Sequence, residues 1–104
     1  MTPAAMGIRA RLHNGVAEVQ LLVPHPMETG MRTDSNGQLA PAHHITRLQA
    51  SVGERLVFSA QMSIAVSRDP LLAFRFRGAR PGDRLRVAWA DNRGSGRVDE
   101  AVIT

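Results

Sequence analysis

Apolar and polar residues alternate with a period of two through most of this 104-residue chain, and Gly, Pro, Asn and Asp interrupt the alternation at short intervals. Gly7-Ile8-Arg9-Ala10-Arg11-Leu12 sets apolar positions against Arg, and Asn14-Gly15 follows. That dipeptide between two apolar runs predicts a hairpin, because Asn and Gly accept the positive φ of a tight turn. Val16 to Val23 is the returning strand. His43 to Val52 turns at Gly53-Glu54 into Arg55 to Met62. Leu72 to Arg77 is the clearest alternation, and Gly78 to Asp83 turns it into Arg84 to Ala90, where Leu85, Val87 and Trp89 share a face. A last turn, Asp91 to Gly96, precedes Arg97 to Ile103. No stretch sustains a capped 3.6-residue stripe, so no long helix is predicted.

Seven short strands spaced about ten residues apart predict an all-β, immunoglobulin-like sandwich of antiparallel strands. The length suits a single domain over residues 1–104. Neither the Cys pair nor the tyrosine corner of antibody domains is present, so the prediction rests on strand rhythm.

Between the second and third strands, His25 to Ala42 has no period, and Pro24, Pro26 and Pro41 punctuate it. Turns are expected at Glu28-Thr29-Gly30 and Ser35-Asn36-Gly37. Loops longer than about a dozen residues in compact domains tend to be functional, which makes this the first place to look for a site. A second irregular piece, Ser63 to Asp69, ends at Pro70.

Composition narrows the chemistry. A domain this short buries only about two-thirds of its unfolded surface, so a supplement to its stability is expected. With no Cys, that supplement is not a disulfide, and a Cys nucleophile or thiolate metal site is excluded. A partner chain is the expected supplement. The formal net charge is +4, and all thirteen basic residues are Arg. Such usage more often reflects coding bias than recognition, but Arg favours desolvated and interfacial pairing more than Lys does, so an acidic partner is a fair reading. Met1 to Gly7 has neither the basic nor the apolar region of a signal peptide, and no apolar run reaches the roughly 20 residues of a membrane span.

Four histidines raise a metal hypothesis. His25 could meet His43 if the loop folds back, with Glu28 as a third ligand, and such a two-His, one-carboxylate set suits a divalent metal. His43 and His44 are adjacent and on a strand would face opposite ways. The plainer alternative is that His25 and His43 hydrogen-bond or pack the loop onto the sandwich. It is preferred, because no compact ligand spacing such as H-x-E or H-E-x-x-H occurs. Gly94-Ser95-Gly96 reads as a hairpin turn rather than a nucleophile, since G-x-S-x-G is absent. Phe74-Arg75-Phe76-Arg77 superficially resembles an RNA-stacking strand, yet the pleat turns both Phe inward and both Arg outward, so nucleic acid is not expected. The Arg pairs 75/77 and 84/86 form one basic face if their strands make a hairpin, and lie on opposite faces if the connection crosses between sheets.

The loop also carries a resemblance. His25-Pro26-Met27-Glu28-Thr29-Gly30-Met31-Arg32, then Asp34, Gly37 and Pro41-Ala42-His43, is similar to the signature region of the Z subunit of the Sox sulfur-oxidation carrier. The likeness continues through Ser67-Arg68-Asp69-Pro70, where that family more usually has Asn before Pro. It goes on in Phe74-x-Phe76-x-Gly78, Gly82-Asp83 and Trp89-x-Asp91-Asn92-x-Gly94, and spans about Ile8 to Ile103. The resemblance implies an immunoglobulin-like fold and a non-catalytic subunit without cofactor or resident metal. It implies a heterodimer with a Y subunit, whose mobile C-terminal arm carries sulfur intermediates on a single Cys, and transient contact with the other Sox enzymes. It further implies a periplasmic location, reached by crossing the membrane folded on a signal-bearing Y subunit; an exposed partner face leaves self-association open when that subunit is missing. His25, Pro26, Met27, Glu28, Thr29, Gly30, Arg32 and His43 are then expected to build or brace the partner-facing surface; the equal alternative is a loop packed internally on its own side chains. The competing function is a metal-binding, non-haem iron redox domain on a similar sandwich, using His25, His43 and Glu28. The lack of Cys weighs against it, since iron sites on related sandwiches also use a thiolate.

Overall fold

Alternation of the kind described above forces one face of every strand inward, and two sheets packed face to face are the way to bury seven such faces. The computed structural model, which describes residues 3–104, has that form. Met1 and Thr2, the start of the segment considered above for an export signal, lie outside the described residues. The strands are β1 (Gly7–His13), β2 (Val16–Leu22), β3 (Ile45–Val52), β4 (Arg55–Gln61), β5 (Leu71–Arg77), β6 (Arg84–Asp91) and β7 (Gly96–Val102). They pair antiparallel as a three-stranded sheet, β1-β2-β5, and a four-stranded sheet, β4-β3-β6-β7. The order is that of an immunoglobulin sandwich in which the fourth strand pairs with the third rather than with the fifth.

The turns behave as their residues dictate. Asn14 and Gly15 both take positive φ, 52° and 79°, which gives the β1–β2 hairpin its twist and an unbroken register from Gly7↔Leu22 to His13↔Val16. The β5–β6 connection crosses from one sheet to the other. Arg75 and Arg77 therefore lie on the outside of one sheet, and Arg84 and Arg86 on the outside of the other. Between them the core is filled by Val19, Leu21, Ile45, Leu48, Leu85, Val87 and Ile103, each fully buried. Each such side chain contributes roughly 1.5–3 kcal/mol by leaving water. On the open side, where β4 and β5 are both edge strands, Phe58 and Phe74 stack with centroids 4.3 Å apart and tie the sheets together.

The third strand begins at Ile45, two residues later than the alternation predicts. His43 instead makes an isolated bridge with Glu28, and Asn92 holds His44 through its backbone. This pulls both histidines into the end of the sandwich where the long loop lies.

Candidate functional site

The inward line of β2 does not stop with the strand. Ala17, Val19, Leu21, Val23, His25 and Met27 are buried in alternation, so the same pleat that buries the core aliphatics drives an imidazole into the end of the sandwich. The inward line of β6 behaves alike: Leu85, Val87 and Trp89 are followed by Asp91, which is also buried. The two polar residues meet. Nε2 of His25 lies 3.1 Å from Oδ2 of Asp91, and Nε2 of His43 lies 2.8 Å from the same oxygen. The two imidazole rings stand edge to face, 4.5 Å between centroids, and Trp89 closes on the other side of His25 at 5.2 Å.

A buried carboxylate is costly unless its lone pairs are filled. Here they are. The backbone N–H groups of Arg93 and Ser95 donate to Oδ1 at 3.0 and 2.9 Å, while the two histidines donate to Oδ2. Burial pushes the Asp91 carboxyl up, but the hydrogen bonds from His25, His43, Ser95 and Arg93 outweigh it and hold the pKa below the ordinary value. For His25 burial dominates and pulls the imidazole down, with the Asp91 hydrogen bond opposing and the neighbouring His43 and His44 adding to the depression.

The tautomer of His25 follows from its second nitrogen. The Met27 backbone N–H donates to Nδ1 at 3.1 Å, so Nδ1 carries a lone pair and the proton sits on Nε2, facing Asp91. Met27 achieves this in the left-handed region, φ 48°, with its side chain buried and its Sδ accepting the Ile45 N–H at 3.4 Å.

Neighbouring segments lock the arrangement. Asp69 clamps the His25 backbone in both directions: the His25 N–H donates to Oδ1 at 2.9 Å, and the Asp69 N–H donates to the His25 carbonyl at 2.9 Å. Asn92 grips the other side of the loop, donating through Nδ2 to the Ala42 carbonyl and accepting the His44 N–H at Oδ1. Gly30 packs against Ala42 so closely, at φ 85°, that a Cβ there would lie 3.2 Å from the Ala42 methyl. Beside the cluster opens a cavity of about 530 Å³ whose walls include Pro24, Pro26, Trp89, His43, Arg68 and Arg93. His43, with 24% of its side chain exposed, is the member of the trio nearest to solvent.

The expected site residues divide accordingly. His25 and His43 come together as the metal hypothesis requires, but their carboxylate is Asp91 and not Glu28. Glu28 turns outward to Arg32, whose Nη2 lies 2.8 Å from Oε1. Met27 is core, Pro26 is exposed on the cavity wall, and Thr29 accepts the Met31 N–H. Ser95 lines the cavity too, but its role is its backbone N–H, and its hydroxyl has no hydrogen bond to His25 or His43 among the described residues. Asp91, Asp69, Asn92 and Trp89 were not foreseen as site residues.

Ligand atoms of His25, His43 and Asp91 all lie within 4.8 Å of one another, close enough to ask whether they fit a metal. A neutral imidazole that ligates through Nε2 carries its proton on Nδ1. At His25 the Met27 N–H already points there, so ligation would set two N–H groups against each other inside a buried site. The donor set fits a hydrogen-bonded hub and does not fit a resident metal.

Comparison with known proteins then places the chain. A family model for sulphur oxidation protein SoxZ matches residues 6–102. The chain belongs to the SoxZ family. Three of the stretches that resemble this family in sequence (the His25 loop, Asp69-Pro70 and Trp89-x-Asp91-Asn92) converge on the hub of this SoxZ-family chain. No curated protein matches it. Among solved structures it is similar to a superoxide reductase in the oxidized state, at 14% identity and TM-score 0.67 over 100% of this chain and 90% of that one. It is similar to superoxide reductase (neelaredoxin) from Archaeoglobus fulgidus in the reduced form, at 21% identity and TM-score 0.62 over 99% and 89%. A hypothetical protein from Pyrococcus horikoshii gives 17% identity and TM-score 0.68 over 98% and 89%. At these identities the likeness is one of fold.

Proposed function

We propose that this SoxZ-family chain is the non-catalytic half of a periplasmic sulfur-carrier heterodimer, paired with a Y-type subunit whose Cys carries the sulfur intermediates. The observation that supports it best is a SoxZ match across residues 6–102 in a chain that has no Cys of its own. A carrier needs one thiolate, and this chain leaves that role to its partner.

The hub has a structural part in this scheme. The hydrogen bonds of His25 and His43 to Asp91, with the grips of Asp69 and Asn92 on the loop backbone, hold both ends of the 25–44 loop against the end of the sandwich and give it a pre-organised surface. Beyond the hub the chain forms a small hairpin, with Thr33 bridged to Leu39 and the Ala40 N–H donating to the Arg32 carbonyl at 2.8 Å. Met31 and Leu39 stand out from it with 69% and 65% of their surface exposed. Two large apolar side chains on a pre-organised loop suit burial by a partner, because little ordering entropy remains to oppose binding.

Co-expression with the Y-type subunit of the same genome, followed by size exclusion and intact mass, tests the proposal. A one-to-one complex, with sulfur adducts on the partner's Cys alone, is expected. A chain that elutes alone when the Y-type subunit is present and folded would overturn it.

A further inference from the structure

The outward face of the three-stranded sheet carries a charge pattern that the carrier reading does not use. Register sets Arg11, Glu18 and Arg75 in one row across β1, β2 and β5, with Arg9, Gln20 and Ala73 in the next row on one side and His13, Val16 and Arg77 on the other. The alternate residues, among them Ala10, Val19 and Phe76, are buried, so the pleat sends all four arginines to solvent. Among the described residues none of the four forms an ion pair. Four arginines against one glutamate concentrate on this face most of a net charge of +4. Toward the loop end the same face finishes in an apolar row, Gly7, Leu22 and Leu71, where Leu22 is 46% and Leu71 75% exposed.

We propose that this face is a docking surface for the acidic surface of a partner protein, engaged in transient encounters. It is distinct from the loop end on which the heterodimer contact is placed. Three occupants compete for a basic sheet face, and the pattern separates them. A second copy would set arginines against arginines. A nucleic-acid strand favours an uninterrupted cationic track with exposed aromatics on which bases stack. Here Glu18 interrupts the track between Arg11 and Arg75, and Phe74 and Phe76 pack against the core. An acidic protein can meet the arginines with carboxylates and Glu18 with a cation of its own. Size agrees with a transient contact. Three strands of seven residues cover about 14 by 24 Å, or roughly 340 Å², well short of the roughly 800 Å² per partner of a standard stable interface. Leu22 and Leu71 supply short-range contact after the charges have steered the approach.

The test is an NMR titration of the ¹⁵N-labelled chain with poly-L-glutamate at low salt, and in parallel with a DNA duplex of matched charge. Shifts gathered on Arg9, Arg11, Gln20, Ala73 and Arg75, and abolished by high salt, are expected. The exposed double variant Arg11→Glu with Arg75→Glu should keep its melting temperature and bind polyglutamate about tenfold more weakly or worse. Arg47→Glu, on the opposite sheet, should bind unchanged. Shifts spread over the whole surface, charge reversal without effect, or DNA bound by this face more tightly than polyglutamate would each overturn the proposal.

Discussion

The Met27 backbone N–H donates to Nδ1 of His25 at 3.1 Å, and this one contact decides the protonation pattern of the cluster beyond it. With Nδ1 occupied as an acceptor, the His25 proton must sit on Nε2, where it meets Asp91. Asp91 is then an ionised carboxylate with every direction filled, and His43 completes the set from the far end of the loop. A residue in the left-handed region, a buried imidazole and a buried carboxylate thus hold one another in place, each acceptable only because the others are there.

Asp91→Asn is expected to destabilise the protein by about 3 kcal/mol or more, because it leaves two imidazole N–H groups, that of His25 buried, competing for one amide oxygen. Urea denaturation followed by tryptophan fluorescence measures this directly, since Trp89, the chain's single Trp, packs against His25. A loss below about 1 kcal/mol would mean that the hub is not a stabilising element.

Stability should fall as the solution is acidified through two windows. His25 has a folded-state pKa below its unfolded value, so the unfolded chain takes up a proton first. Its contribution is complete above about pH 6.5 and is lost as the pH falls from there toward the depressed folded value, with a slope of at most about 1.4 kcal/mol per pH unit for one proton. Asp91, also depressed, contributes stability that is present above the ordinary carboxylate range and lost at still lower pH. Urea midpoints between pH 8 and pH 5 should decline in the wild type and decline less in His25→Gln. Greater wild-type stability at pH 5.5 than at pH 7.5 would contradict the neutral, Nε2-protonated His25.

Metal removal should change nothing. Dialysis against a strong chelator is expected to leave the melting temperature where it was, and added Co(II) should give no equimolar visible band. A zinc or iron ion retained one-to-one through chelation would show that His25 can release the Met27 N–H and ligate after all.

Much of this arrangement was written in the alternation. Leu85, Val87 and Trp89 were legible as one buried face, and Asp91 is the next residue of the same parity. A carboxylate on an inward face demands donors, and imidazoles at that end can supply them. Continuing the parity of Val19, Leu21 and Val23 would likewise have buried His25. The third ligand was misassigned to Glu28 because nearness in sequence was taken for nearness in space, whereas His25 and Asp91 are 66 residues apart. Asp69 and Asn92 were harder to foresee, since they act by gripping backbone groups that no side-chain pattern announces. The sheet switch of the fourth strand was also out of reach, because β4 alternates no differently for pairing with β3 than it would beside β5.

The loop divides into a half that holds the fold and a half that faces away from it, and the two should respond differently to mutation. Met27 is 5% exposed, so Met27→Ala cuts a core side chain and should cost about 2–5 kcal/mol of stability, whatever happens to partner binding. Met31 and Leu39 stand on the outer hairpin, where the Asp34 carboxylate accepts the N–H groups of Asn36 and Gln38 and keeps the turn closed without them. Met31→Ser with Leu39→Ser should therefore leave the melting temperature within a degree or two, as surface substitutions usually do. If the hairpin is where the Y-type subunit binds, the same double variant should weaken the heterodimer about tenfold or more, read by calorimetry or by loss of co-elution. Partner affinity unchanged in this variant, with the fold intact, would place the heterodimer contact elsewhere on the chain and leave the loop as a self-packed cap on the hub.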